Sequence, residues 1–235
     1  MTVDAKRHLL WAATSPIEQN KDFSEKDHAA VLAIDLRSGR IVKTIPAPDD
    51  AKHIFGDLAL AADGMVYVSD SASPNIFAID GDSMRPFVQE GPFSNLQGIA
   101  PAAGVLYIAD YAKGIGAVDL ATHDVHFLRA PADATLLGID GLYRSGPKTL
   151  IATQNGTSPQ RVLRLDLDGN SIARVTTLAA NLPEMPDITL GVLAGSSFYF
   201  NGAALWDEKD AAKWAPAVVL RTGIANSSQT VVTQR

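Results

Sequence analysis

Four aspartates constrain this chain more than any other feature. Asp35, Asp80, Asp119 and Asp166 close equivalent apolar runs at separations of 45, 39 and 47 residues. Around each of them the same order of short, alternating apolar runs recurs, broken by Gly, Pro and Asp turns. The clearest repeat runs through Gly56-Asp57-Leu58-Ala59-Leu60-Ala61, Met65-Val66-Tyr67-Val68-Ser69-Asp70, Asn75-Ile76-Phe77-Ala78-Ile79-Asp80 and Arg85-Pro86-Phe87-Val88. The next follows it closely as Leu96-Gln97-Gly98-Ile99-Ala100, Val105 to Asp110, Gly116 to Leu120 and Val125 to Leu128.

Four strands per repeat at a period of roughly 40 to 50 residues predict the blades of a β-propeller, the first strand at the central channel and the fourth at the rim. The fold class is therefore all-β. Five repeats are visible, at about 1–50, 51–90, 91–133, 134–180 and 181–235, within one expected domain. A β-sandwich shows no recurring sequence unit, and β-helix coils are shorter than these repeats. Helical signal is confined to Asp207 to Lys213, which reads as a loop or a single turn.

Composition removes several functions. With 26 acidic and 20 basic residues the formal charge is −6, which repels phosphate backbones, so nucleic acid is not an expected partner. The absence of cysteine excludes disulfides, thiolate catalysis and Cys-ligated zinc. No apolar run approaches the roughly 18 to 20 residues of a membrane span, and Met1 to Lys6 is not a signal peptide. The expectation is a soluble chain, cytoplasmic or, if an amino-terminal leader has been removed, periplasmic or secreted.

The succession Phe55-Gly56-Asp57-Leu58-Ala59, Leu96-Gln97-Gly98-Ile99-Ala100, Ile139-Asp140-Gly141-Leu142 and Leu182-Pro183-Glu184-Met185-Pro186-Asp187-Ile188 resembles the superfamily of SMP-30 (regucalcin), gluconolactonase and luciferin-regenerating-enzyme-like proteins. The resemblance covers essentially the whole chain. It implies a propeller of the six-bladed type with a divalent cation, Ca2+ first and Mg2+, Zn2+ or Mn2+ as alternatives, at one mouth of the channel. The positions matching its metal ligands are Asp57, Gln97, Asp140 and Asp187, all hard oxygen donors. Gln97 stands where Asn is usual, and Ile188 where a further Asn would be. The family's Glu ligand comes from a blade upstream of the first one visible here, so either the metal site is incomplete or an upstream segment supplies it.

The implied activity is hydrolysis of a lactone or related ester, in which the cation polarises the carbonyl and a carboxylate activates water. The resemblance makes Asp140 ligand and base together; His53, four residues before Asp57 in a loop expected to meet the same mouth, is a candidate second base or substrate contact. The alternative is a non-catalytic propeller with a degenerate metal site that binds a small molecule or a protein. An incomplete ring would also leave an edge strand open to homo-oligomerisation.

Other features have structural readings. Asp35, Asp80, Asp119 and Asp166 precede turns and are expected to shape them. Trp11, Tyr67, Tyr107 and Tyr199 fit packing between blades. The polar segment from Ser15 to His28 is a candidate lid or a surface excursion, Lys113-Gly114-Ile115-Gly116 lacks the helix a dinucleotide fingerprint needs, and Asn155-Gly156-Thr157 is a formal glycosylation sequon.

Overall fold

The computed structural model describes residues 1–18, 23–24, 27–204, 208 and 217–225. The expected helical turn at Asp207 to Lys213, most of the central part of the Ser15–His28 excursion, and the end of the last repeat beyond 225 lie outside the described residues. The chain is a β-propeller whose five antiparallel sheets correspond to the five repeats. No helix among the described residues is long and apolar enough to cross a membrane.

The first sheet comprises β1 (Thr2–Asp4), β2 (Leu9–Thr14), β3 (Ala30–Asp35) and β4 (Ile41–Pro46). The second comprises β5 (Phe55–Leu60), β6 (Val66–Asp70), β7 (Ile76–Asp80) and β8 (Ser83–Val88). The third comprises β9 (Leu96–Ala102), β10 (Val105–Asp110), β11 (Gly114–Asp119) and β12 (Val125–Phe127). The fourth is built from β13 (Ile139–Gly146), β14 (Thr149–Gln154), β15 (Arg161–Asp168) and β16 (Ser171–Ala180). The fifth has β17 (Gly191–Ala194), β18 (Ser197–Asn201) and β19 (Val219–Gly223) among the described residues. Each sheet is a meander with sequential neighbours paired.

By its contacts the chain falls into two compact units. One is Met1–Asp110 with Gly116–His126, and the other is Tyr111–Ile115 with Phe127–Arg235. In the first unit, Trp11, Val31 and Ile45 of the first sheet pack on Leu58, Val68, Phe77 and Met84 of the second. In the second unit, Ile151, Val162 and Leu178 of the fourth sheet pack on Phe198, Phe200 and Leu220 of the fifth. The period-2 alternation of apolar residues produces both cores, because it puts every second side chain on the face that meets a neighbouring sheet. Each fully buried large side chain contributes roughly 1.5 to 3 kcal/mol.

The turn aspartates divide into two kinds. Asp35 Oδ1 accepts hydrogen bonds from the backbone N–H groups of Arg37 and Ser38 and from Ser38 Oγ, and Asp119 Oδ1 accepts from Ala121 and Thr122. Asp80 instead pairs with Arg85, and Asp166, expected to close its strand before a turn, lies inside β15, which runs on to Asp168, and pairs with Arg164. Trp11 and Tyr67 are buried, Tyr67 packing on Phe87 with ring centroids 4.9 Å apart, whereas Tyr107 and Tyr199 are half-buried.

In the second, third and fourth sheets the last residue of the second strand has a further structural role. Asp70 and Asp110 are fully buried. Asp70 accepts from the backbone N–H of Ile54, just before β5, and Asp110 from that of Ser94, just before β9. Gln154 Nε2 donates to the carbonyls of Thr135 and Leu137, just before β13. These side chains satisfy backbone groups in the connection entering the innermost strand, and so fix where that strand begins.

Candidate functional site

Strand register decides what each strand-start residue presents. In the second sheet Phe55 pairs with Asp70 and Asp57 with Ser69, and in the fourth Ile139 pairs with Gln154. The Asp57 N–H donates to Ser69 Oγ at 3.0 Å, and the Gly141 N–H donates to Thr153 Oγ1 at 2.7 Å. Asp57 is thus the counterpart of Gly141, and the counterpart of Asp140 is Gly56. In the third sheet Leu96 pairs with Asp110, which makes Gln97 the counterpart of Asp140. The pairing is irregular at these places, between Phe55 and Asp57 in β5 and between Ile139 and Leu142 in β13, so Asp57, one residue further along than Asp140, meets a different environment. There is no room for a side chain at Gly56, whose added Cβ would lie 2.8 Å from the Leu96 carbonyl oxygen.

That offset explains the environment of Asp57. It is buried, with Oδ1 accepting from the Leu58 N–H at 2.8 Å. Its pKa is raised to about 6 by loss of hydration, against the opposing pull of the Met1 ammonium and the backbone N–H groups of Leu58 and Ile99. Ser69 Oγ, which accepts from Asp57, also meets the Gln97 carbonyl at 2.6 Å. Gln97 is half-buried and donates through Nε2 to Asn95 Oδ1 at 2.6 Å. The first unit therefore brings Asp57 and Gln97 together through one serine.

His53 stands apart from that pair. Its ring is buried, with Nδ1 2.7 Å from Asp70 Oδ2 and Nε2 3.1 Å from Asp49 Oδ1. Phe77 meets the ring edge-on at a centroid distance of 5.6 Å. Asp70 also accepts from Ala72 N–H and Ser73 Oγ, so the histidine belongs to the network that shapes the entry to β5. His53 also forms part of the wall of a cavity of about 270 Å3 with Phe23, Asp27, His28 and Lys52.

The second unit gathers Asp140 and Asp187 around two residues that strand-start motifs do not include. Asp140 is the second residue of β13 and half-buried. Asn155, immediately after β14, donates through Nδ2 to Asp140 Oδ2 at 3.0 Å and to the Ile188 carbonyl at 2.9 Å. Tyr111 donates its hydroxyl to Asn155 Oδ1 at 3.0 Å. Burial raises the Tyr111 phenol above its ordinary value, and the charges of Asp140 and Asp187 push it further in the same direction. One phenol thus senses both carboxylates.

The fifth sheet begins later than its motif predicts. Asp187 is half-buried and makes an isolated bridge with Ala203, and β17 starts only at Gly191. Pro183 and Pro186 supply no N–H for a ladder, which delays regular pairing. Ile188, the departure from the family pattern, has a fully buried side chain in the core between the fourth and fifth sheets. Its backbone does the polar work, accepting from Asn155 and donating to Gln160 Oε1 at 2.7 Å.

Backbone contacts hold this cluster. The Gly138 N–H donates to the Tyr111 carbonyl at 2.8 Å, and the Gly156 N–H to the Gly138 carbonyl at 3.0 Å. Gly138 has φ of 70°, and a Cβ on Gly156 would lie 2.6 Å from Gly138 Cα and 2.7 Å from the Tyr111 hydroxyl. Only glycine lets the three segments approach this closely. Tyr111 and Asn155 escape a search for recurring strand-start residues, and the polar signal they carry, an Asn-Gly after a strand, reads first as a turn or a sequon. The Asn155 amide is committed to Asp140 and Ile188, which leaves the glycosylation reading without support from its geometry.

Two carboxylates, an amide and a phenol are hard donors of the type that calcium accepts. Among the described residues, however, no group of three or more His, Cys, Asp or Glu side chains is placed to hold a metal.

No family model matches the chain, and no curated protein matches it by sequence. Solved structures share its fold. The aldose sugar dehydrogenase of Streptomyces coelicolor, in its PQQ-bound form, superposes with a TM-score of 0.61 at 13% identity, over 93% of this chain and 76% of that one. Regucalcin from Agrobacterium tumefaciens, a calcium-binding protein, gives 0.58 at 14% identity over 79% and 68%. Hydrazine synthase of Kuenenia stuttgartiensis gives 0.60 at 16% identity over 87% of this chain, which spans 59% of that one. At such identities the likeness establishes the β-propeller fold, and activity has to be argued from this chain's own residues.

Proposed function

We propose that the protein is a divalent-cation-dependent hydrolase of a lactone or related ester, with Asp140 as its base. One observation carries the reading: Asn155 ties the Asp140 carboxylate to the backbone beside Asp187, and both carboxylates act on the same phenol. Regucalcin, a calcium-binding protein of the same fold, supports a cation at such a site. Asp140 and Asp187 would hold it. When bound, the cation would supply Lewis-acid polarisation of the ester carbonyl.

The protein's own residues account for the proton transfers. Asp140 takes a proton from water as the water oxygen bonds to the carbonyl carbon. The ring C–O bond then breaks, and the departing alkoxide regains the proton from Asp140, giving a hydroxy acid. A half-buried carboxylate held by a side-chain amide is suited to this, being fixed in orientation yet open to water.

Calorimetry with calcium, together with a pH-indicator screen of sugar and aliphatic lactones, tests the reading. Cation binding and turnover that Asp140→Ala abolishes are the expected results. Absence of both in the wild-type protein would overturn it.

A further inference from the structure

We propose that Tyr111 and Asn155 are positioning residues for Asp140, the phenol fixing the orientation of the amide and the amide fixing the carboxylate. The inference rests on the reading of Asp140 as the base. Its warrant is the direction of each hydrogen bond. The Ile188 carbonyl only accepts, so the NH2 end of the Asn155 side chain must face it. The same NH2 group reaches Asp140 Oδ2 at 3.0 Å. The amide oxygen is therefore turned towards Tyr111, whose hydroxyl must be the donor across their 3.0 Å contact. The chain of bonds has one direction, from phenol to amide to carboxylate.

Tyr111 completes that order. An asparagine amide turned end over end would set its oxygen against two acceptors, so those two contacts fix which end faces Asp140, and the phenol, donating to the remaining oxygen, holds the amide in place. The glycine crossing of Gly138 and Gly156 brings the phenol and the amide within reach of each other. The hydrogen-bonded route from Tyr111 to Asp140 runs through Asn155.

The test uses the full chain labelled with 15N, reading the side-chain amide signals of Asn155, which are assigned by their loss in Asn155→Ala. Tyr111→Phe is expected to shift this pair and to speed its hydrogen exchange about tenfold, with the backbone spectrum and melting temperature otherwise close to wild type. Asp140→Asn is expected to move the same pair. Unchanged Asn155 signals in a folded Tyr111→Phe protein would overturn the proposal. Kinetics on a turned-over lactone give a second arm. Tyr111→Phe should lower kcat with KM unchanged, and Tyr111→Phe combined with Asn155→Ala should be no slower than Asn155→Ala alone. Additive losses would overturn the relay. If no lactone is turned over but the amide signals respond, the relay stands and the hydrolase reading fails.

Discussion

Asp57 in the first unit and Asp140 in the second open innermost strands of the same kind, and one residue of register separates their fates. Asp57 is buried, and backbone N–H groups of Leu58 and Ile99 satisfy it. Asp140 is half-buried, and the Asn155 side chain satisfies it. A carboxylate bonded to backbone is part of the scaffold. One held by a side chain that answers to another side chain can be oriented for chemistry. A strand-start aspartate in a propeller repeat is therefore informative only once its register against the second strand is known.

The sharpest way to break this contrast is kinetic. Asp140→Asn is expected to reduce lactone turnover by about 10²- to 10⁴-fold, whereas Asp57→Asn should leave calcium affinity and turnover within about threefold, measured by calorimetry and initial rates. Equal losses would put the two aspartates in one role.

Next in size is a pH effect confined to the first unit. The folded protein holds the Asp57 proton more tightly than the unfolded chain, since its pKa rises from 3.8 to about 6. Its contribution to stability is therefore fully present below 3.8 and is lost as pH rises through 6, a loss of roughly 3 kcal/mol at neutral pH. Urea midpoints between pH 4 and 8 should show this slope in the wild type and a flatter one in Asp57→Asn. An identical slope in both would refute the assignment.

Ser69→Ala should cost about 2 kcal/mol in urea unfolding, because it leaves both the buried Asp57 N–H and the Gln97 carbonyl short of a partner. Thr153→Ala in the second unit, with one such contact shown at Gly141, should cost about 1 kcal/mol. A reversed order would break the equivalence drawn from register. The smallest effect is expected at Gly39, where φ is 68° and added bulk meets nothing. Gly39→Ala should lower stability by about 1 kcal/mol through backbone strain alone, leaving both candidate sites as they were.

Much of the fold is legible in the order of the residues. Alternation and turn chemistry are local properties, so the runs Val66 to Asp70, Val105 to Asp110 and Ile76 to Asp80 became strands with boundaries within a residue or two of those expected. The turn role of Asp35 and Asp119 was equally readable, since Asp followed by Ser-Gly or Thr-His closes on its own backbone. The motif at Asp187 was less so, because its prolines delay the strand to Gly191. Ser69 and Thr153 carried a signal that goes unnoticed in a search for charged residues: each is the penultimate residue of a second strand.

The candidate site was half legible. Asp140 and Asp187 stand out as polar residues at strand starts, and repetition alone points to them. The offset of Asp57 does not show in the string, because Gly-Asp and Asp-Gly align equally well until β6 and β14 pair with their neighbours and give each side chain its surroundings. Nor do Tyr111 and Asn155, which are 44 residues apart and meet only because Gly138 and Gly156 allow three segments to cross. Local periodicity determines which residues form strands, and hence the propeller. Which carboxylate is buried and which is held ready depends on pairing between distant strands, and that was decided by the tertiary structure.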